Sequence, residues 1–157
     1  EEMINDAFKQ VDSISKGLGI QKDKILLVSV NQDIHQHIIK YAREKNKPIE
    51  VLKRRGDITT IKNAERNMRY VLGFIDYIGG LEFDAVVIVG VDKGRVPNND
   101  GKEGTIYQSY EWHNRMYVAI TRAKYAVAIL GNKSYTESPL LRKAIDSQRI
   151  VVEGGYN

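Results

Sequence analysis

The chain has 157 residues, 42% of them hydrophobic and 28% charged, with a formal net charge of +4. That composition suits one soluble globular domain, long enough to bury a core. It holds no cysteine, which excludes disulfides and thiolate metal sites, and no apolar run long enough for a transmembrane span.

The acidic start Glu1-Glu2 is unlike a signal peptide. With the missing cysteines it fits a cytoplasmic protein, and a start at Glu1 suggests a fragment of a longer one. In chain order, residues 2 to 16 place Ile4, Phe8, Val11 and Ile14 on one helical face, ended by Gly17 and Gly19. Lys24 to Val30 is nearly all apolar and is expected to be a buried strand. Asn31 is a good N-cap, and Asp33 suits the positive end of a helix dipole. The helix that follows turns Ile34, Ile38, Tyr41 and Ala42 inward and stops at Asn46 and Pro48. Ile49 to Leu52 is a short strand. Residues 53 to 68 are polar and basic, expected as a loop with room for one short helix.

Tyr70 to Ile75 is a third strand and Ala85 to Val91 a fourth, with the Gly79-Gly80 turn between them. Gly94 to Gly104, with Pro97 and two asparagines, is expected to be a surface loop. Thr105 is placed to cap a helix running to about Arg122. Ala126 to Leu130 is the next strand, Pro139 to Asp146 a helix, and Ile150 to Val152 a candidate to close the sheet. Strands of continuous Val, Ile and Leu alternating with helices imply a mostly parallel sheet covered on both faces.

Charge is uneven along the chain. Between Lys40 and Arg69 there are ten lysines and arginines against four acids. Such a patch attracts phosphate backbones through counterion release, although charge runs are more often just solvated surface. Several chemistries are excluded. Gly101-Lys102 is followed by Glu103, so there is no P-loop. Val96 and Tyr107 stand at ligand positions of a would-be calcium loop. His35, His37 and His113 lack metal-ligand spacing, and no metal site is expected.

Two strings remain: Gly79-Gly80-Leu81-Glu82-Phe83-Asp84 and Tyr117-Val118-Ala119-Ile120-Thr121-Arg122-Ala123-Lys124. They resemble motifs V and VI of UvrD-like superfamily 1 helicases. The likeness is close over the last half of the chain and holds in outline over the first. It implies a RecA-like three-layer domain, with a mostly parallel central sheet and helices on both faces. It further implies one such domain over residues 1–157, without the accessory-domain insertion of larger relatives, since fewer than twenty residues separate the second and third strands.

By that resemblance Arg122 is the catalytic arginine, a permanently charged fork aimed at the γ-phosphate of ATP. Glu82 takes the nucleotide sugar, and Gly80 lets the backbone approach closely. Tyr77, Arg95 and Thr121 are the candidate nucleic-acid contacts. Each also has a plainer role: Arg122 at a helix end, Glu82 in the first turn of a helix, Tyr77 in the core, Thr121 capping a helix turn. Trp112, Tyr107 and Tyr110, at helical spacing, are read as core. The chain departs from the family at Gly79, where many members carry lysine, and at Asp76-Tyr77-Ile78, where Asp76 would repel a phosphate.

The resemblance implies the C-terminal motor lobe of an ATP-dependent DNA helicase or translocase. It would complete the ATP site of an upstream RecA-like P-loop domain, where Mg²⁺ is mainly held, and grip single-stranded DNA. The isolated chain is then expected to be inactive. The alternative from another class is a non-catalytic nucleic-acid-binding or regulatory module that kept the fold.

Overall fold

In the computed structural model, residues 1–91, 103–131, 145–149 and 151–153 are described, with the backbone alone for 103–110. The expected loop around Arg95 and the expected helix from Pro139 fall mostly outside these residues.

Among the described residues, five strands form one parallel sheet: β1 (Ile25–Ser29), β2 (Ile49–Val51), β3 (Tyr70–Phe74), β4 (Phe83–Val89) and β5 (Ala123–Leu130). Their order is β2-β3-β1-β4-β5. β1 lies between β3 and β4, with Leu27 opposite Leu72 on one side and Val87 on the other. A central strand meets apolar layers on both faces, which is why β1 is buried along its whole length.

Alternate side chains of the sheet enter two separate cores. Ile25, Leu27, Leu72, Ala85 and Val87 meet α1 (Glu2–Leu18) and α2 (Gln32–Glu44) through Phe8, Val11, Ile34 and Ile38. Leu26, Val28, Val71, Val86 and Ile88 meet α3 (Ile58–Asn67) and α4 (Glu103–Thr121) through Ala64, Trp112, Met116 and Ala119. Three layers result, as expected.

The helix ends follow the sequence signals. Gly19 caps α1 in the left-handed region at φ 66°. Asn31 Oδ1 accepts the Ile34 N–H at 2.9 Å. One expectation is corrected. Residues 151–153 have no strand structure, so they do not close the sheet. The short helix allowed for in the polar stretch after Leu52 is α3, ten residues long, whose bounds the sequence did not mark. Only Thr60 and Ala64 of it are buried, so its apolar face was too narrow to read.

α3 is started by Asp57, itself 3% exposed. Its carboxylate accepts the Thr60 N–H at 3.2 Å, the Thr60 hydroxyl at 2.6 Å and the Lys53 N–H at 3.0 Å. The last bond ties off the Lys53–Gly56 loop. The Thr60 hydroxyl, then the Lys53 amide, hold the Asp57 carboxyl below the usual range. Because the folded value is depressed, this stabilisation is full above the unfolded carboxylate value, about 4. It is lost as pH falls through the folded value. Asp57→Ala should therefore cost about 1 kcal/mol at pH 7. The gap between the two proteins in urea unfolding should narrow as pH falls below about 4; a gap that does not change with pH would refute the charged cap.

Candidate functional site

β3 and β4 are parallel, so the chain between them must return from one sheet edge to the other. It does so in the eight residues 75–82, through a short 3-10 turn at Ile75–Tyr77 and no α-helix. The return passes close to the sheet because Gly73 has no side chain. A Cβ there would lie 2.8 Å from Ile78 Cγ2 and 3.0 Å from Leu52 Cδ1. Ile78 is fully buried in that notch. Gly80, at φ 81°, then turns the chain into β4.

This path brings Leu81 and Glu82 to the amino ends of β4 and β5, where α4 ends. The Phe83 N–H donates to the Arg122 carbonyl at 2.8 Å and fixes the two motifs side by side. The Arg122 guanidinium is half-buried and stays at this edge. Its Nε donates to Val118 O at 3.0 Å, its Nη1 to Leu81 O at 3.3 Å and its Nη2 to Thr121 Oγ1 at 3.2 Å. Glu82 immediately precedes β4; it does not start a helix. Its side chain is 66% exposed, with Oε1 3.7 Å from Lys124 Nζ.

Lys124 owes its direction to a bulge. Phe83 pairs with Ala123 but Ala85 pairs with Ala126, so β5 carries one residue more than β4 over this step. The extra residue breaks the alternation. Lys124 and Tyr125 are consequently both exposed. Beside them an open hollow of about 670 Å³ runs between Asp84, Tyr125 and the end of α1 at Leu18 and Gly19.

The other predicted contacts separate. Thr121 stands beside Arg122, but its hydroxyl lies on helix carbonyls, 2.8 Å from Tyr117 O and 3.0 Å from Val118 O. It therefore caps the last turn. Tyr77 is at the far end of the crossover, half-buried and edge-on to Phe74 at 5.6 Å between ring centres. Trp112 is buried in the core, as expected, while the side chains of Tyr107 and Tyr110 are outside the described residues. Arg95 is outside them too.

Three residues were missed. Arg115 lies 3.3 Å from Asp76 and 3.1 Å from Glu111. The Asp76 carboxylate is thus offset by a cation four residues after Glu111, a helical spacing the sequence did show. Lys124 was quoted only as part of its string. Arg55 lay within the basic run, but nothing local told that its guanidinium would cover Gly79.

Residues 78–134 match the family model of the UvrD-like helicase C-terminal domain. Over those residues the chain is similar to a UvrD-like helicase C-terminal domain. The match takes in Gly80, Glu82, Thr121 and Arg122, and Tyr77 lies just before it. Among solved structures, the chain is similar to the C-terminal domain of a possible DNA helicase from Lactobacillus plantarum WCFS1. That pair has a TM-score of 0.62 at 12% identity, over 88% of this chain and 70% of that one. The shared fold is RecA-like. Weaker likenesses are to the Pyrococcus furiosus Hef helicase domain, with a TM-score of 0.49, 9% identity, and 94% of this chain against 28% of that one. The C-terminal part of the Fun30 ATPase domain gives 0.47, 12% identity, and 95% against 45%. These two add nothing to the assignment, and this chain spans less than half of either. No curated protein matches in sequence. Among the described residues, no helix is long and apolar enough to cross a membrane.

Proposed function

We propose that the UvrD-like domain acts as the C-terminal motor lobe of an ATP-dependent DNA translocase or helicase. The observation that carries this is one shared sheet edge, where Arg122 donates to Leu81 O next to the exposed carboxylate of Glu82. A guanidinium has five N–H donors, and the three bonds to Val118, Leu81 and Thr121 leave two for a group outside the domain. The exposed Glu82 carboxylate accepts from hydroxyls, as a ribose requires. The pair therefore fits half of a nucleotide site.

In this reading an upstream P-loop lobe holds ATP and Mg²⁺. Bound there, the nucleotide supplies the phosphoryl bond whose cleavage powers movement. Arg122 stabilises charge on the γ-phosphate only when the lobes close. Single-stranded DNA passes over both lobes, and alternating closure steps the protein along it in the cytoplasm.

The test is ATP hydrolysis by the intact protein with and without single-stranded DNA. DNA-stimulated turnover is expected, and none from residues 1–157 alone. The inward hydrogen bonding of Arg122 favours a second reading, a non-catalytic nucleic-acid-binding module. Salt-dependent DNA binding without any turnover would select it.

A further inference from the structure

Gly79 is the residue before the nucleotide-side turn, and it has no side chain of its own. The space above it is filled from elsewhere. A Cβ at residue 79 would meet Arg55 Nη2 at 2.5 Å, and its three nearest atoms all belong to the Arg55 guanidinium. Arg55 comes from the Lys53–Gly56 loop, which Asp57 closes through the Lys53 N–H. Together with Asp76, Glu111, Asn114 and Arg115 it lines a groove of about 350 Å³ between that loop, the crossover and α4.

The charges in this groove sort themselves. Both carboxylates, Asp76 and Glu111, lie against Arg115. Arg55 makes no ion pair or hydrogen bond with any described residue. It is exposed, and so are its neighbours Lys53 and Arg54. Of that loop, Arg54 acts on Asp57 through its charge. A cation without a partner, seated over bare backbone at the mouth of a groove, suits an anion that arrives from solution. A fork of donors suits a phosphate oxygen pair.

We infer that Arg55, stationed over Gly79, binds a backbone phosphate of single-stranded nucleic acid in the groove between the Lys53–Gly56 loop and α4. This rests on the motor reading for its partner and adds the residue that makes the contact. Arg115 has a supporting part, since it cancels the two carboxylates that would repel the strand.

The test uses the intact protein without nucleotide and a fluorescent oligothymidylate, with affinity measured at several salt concentrations. Arg55→Ala should weaken binding about tenfold, as expected for losing a charged hydrogen bond. It should also flatten the log–log salt dependence by about 0.7, one phosphate's share on a single strand. Arg55→Lys should recover the salt slope and only part of the affinity. In the Arg55→Ala background the space over residue 79 is empty, so adding Gly79→Lys should restore binding from the other wall. Unchanged affinity and slope in Arg55→Ala would overturn the assignment while leaving the ATPase test of the motor reading untouched. No affinity of the unaltered protein for the strand at low salt would overturn both.

Discussion

Arg122→Ala in the intact protein is expected to lower DNA-stimulated ATP turnover about a thousandfold or more, the range of a charge-stabilising arginine in phosphoryl transfer. Nucleotide affinity should change little, because the side chain acts chiefly on charge that develops as the bond breaks. Arg122→Lys should rescue little. One ammonium cannot hold Val118 O, Leu81 O and Thr121 Oγ1 together and still present donors outward. The lost bonds to Val118 and Leu81 weaken the junction of α4 with the crossover, so an unchanged circular-dichroism spectrum of residues 1–157 carrying the substitution serves as the check that the domain is folded. Wild-type turnover in Arg122→Ala would remove the catalytic role and leave this residue a structural clamp.

Gly73→Val is the second large effect, on stability. Its Cβ would already press on Ile78 and Leu52, both buried, at 2.8 and 3.0 Å, and valine adds two further methyl groups. Overpacking of this kind costs about 1–3 kcal/mol. The urea midpoint should drop with little change in slope. Because Ile78 holds the crossover down, DNA-stimulated turnover should fall beyond what the lost stability explains. A wild-type midpoint would show that Ile78 is free to move away.

The two variants show how far residue order alone reaches. The strands were readable because Ile25 to Ser29 and Ala85 to Val89 are apolar at every position but Ser29, and only a sheet covered on both faces accepts that. Arg122 and Glu82 could be singled out as candidates because each sits in a string of eight or six residues. Their adjacency was not readable. It depends on an eight-residue return across β1, made possible by a glycine whose neighbours in space lie elsewhere in the chain. Arg55 escaped for a similar reason: it meets Gly79 from 24 positions away. The break of alternation that exposes Lys124 and Tyr125 exists only in the pairing of β4 with β5. The bounds of α3 were not readable because its start depends on one carboxylate, with little apolar surface behind it.

The division of the interior into two cores has a practical meaning for engineering. Leu52, Ala64, Ile78, Trp112 and Met116, which support the crossover, the basic loop and α4, all lie in one core. Phe8, Val11, Ile34 and Ile38 lie in the other. Directed evolution for heat resistance can therefore begin on the layer of α1 and α2, where hardening the scaffold leaves the chemistry's supports alone. Libraries meant to retune the motor belong on the opposite layer.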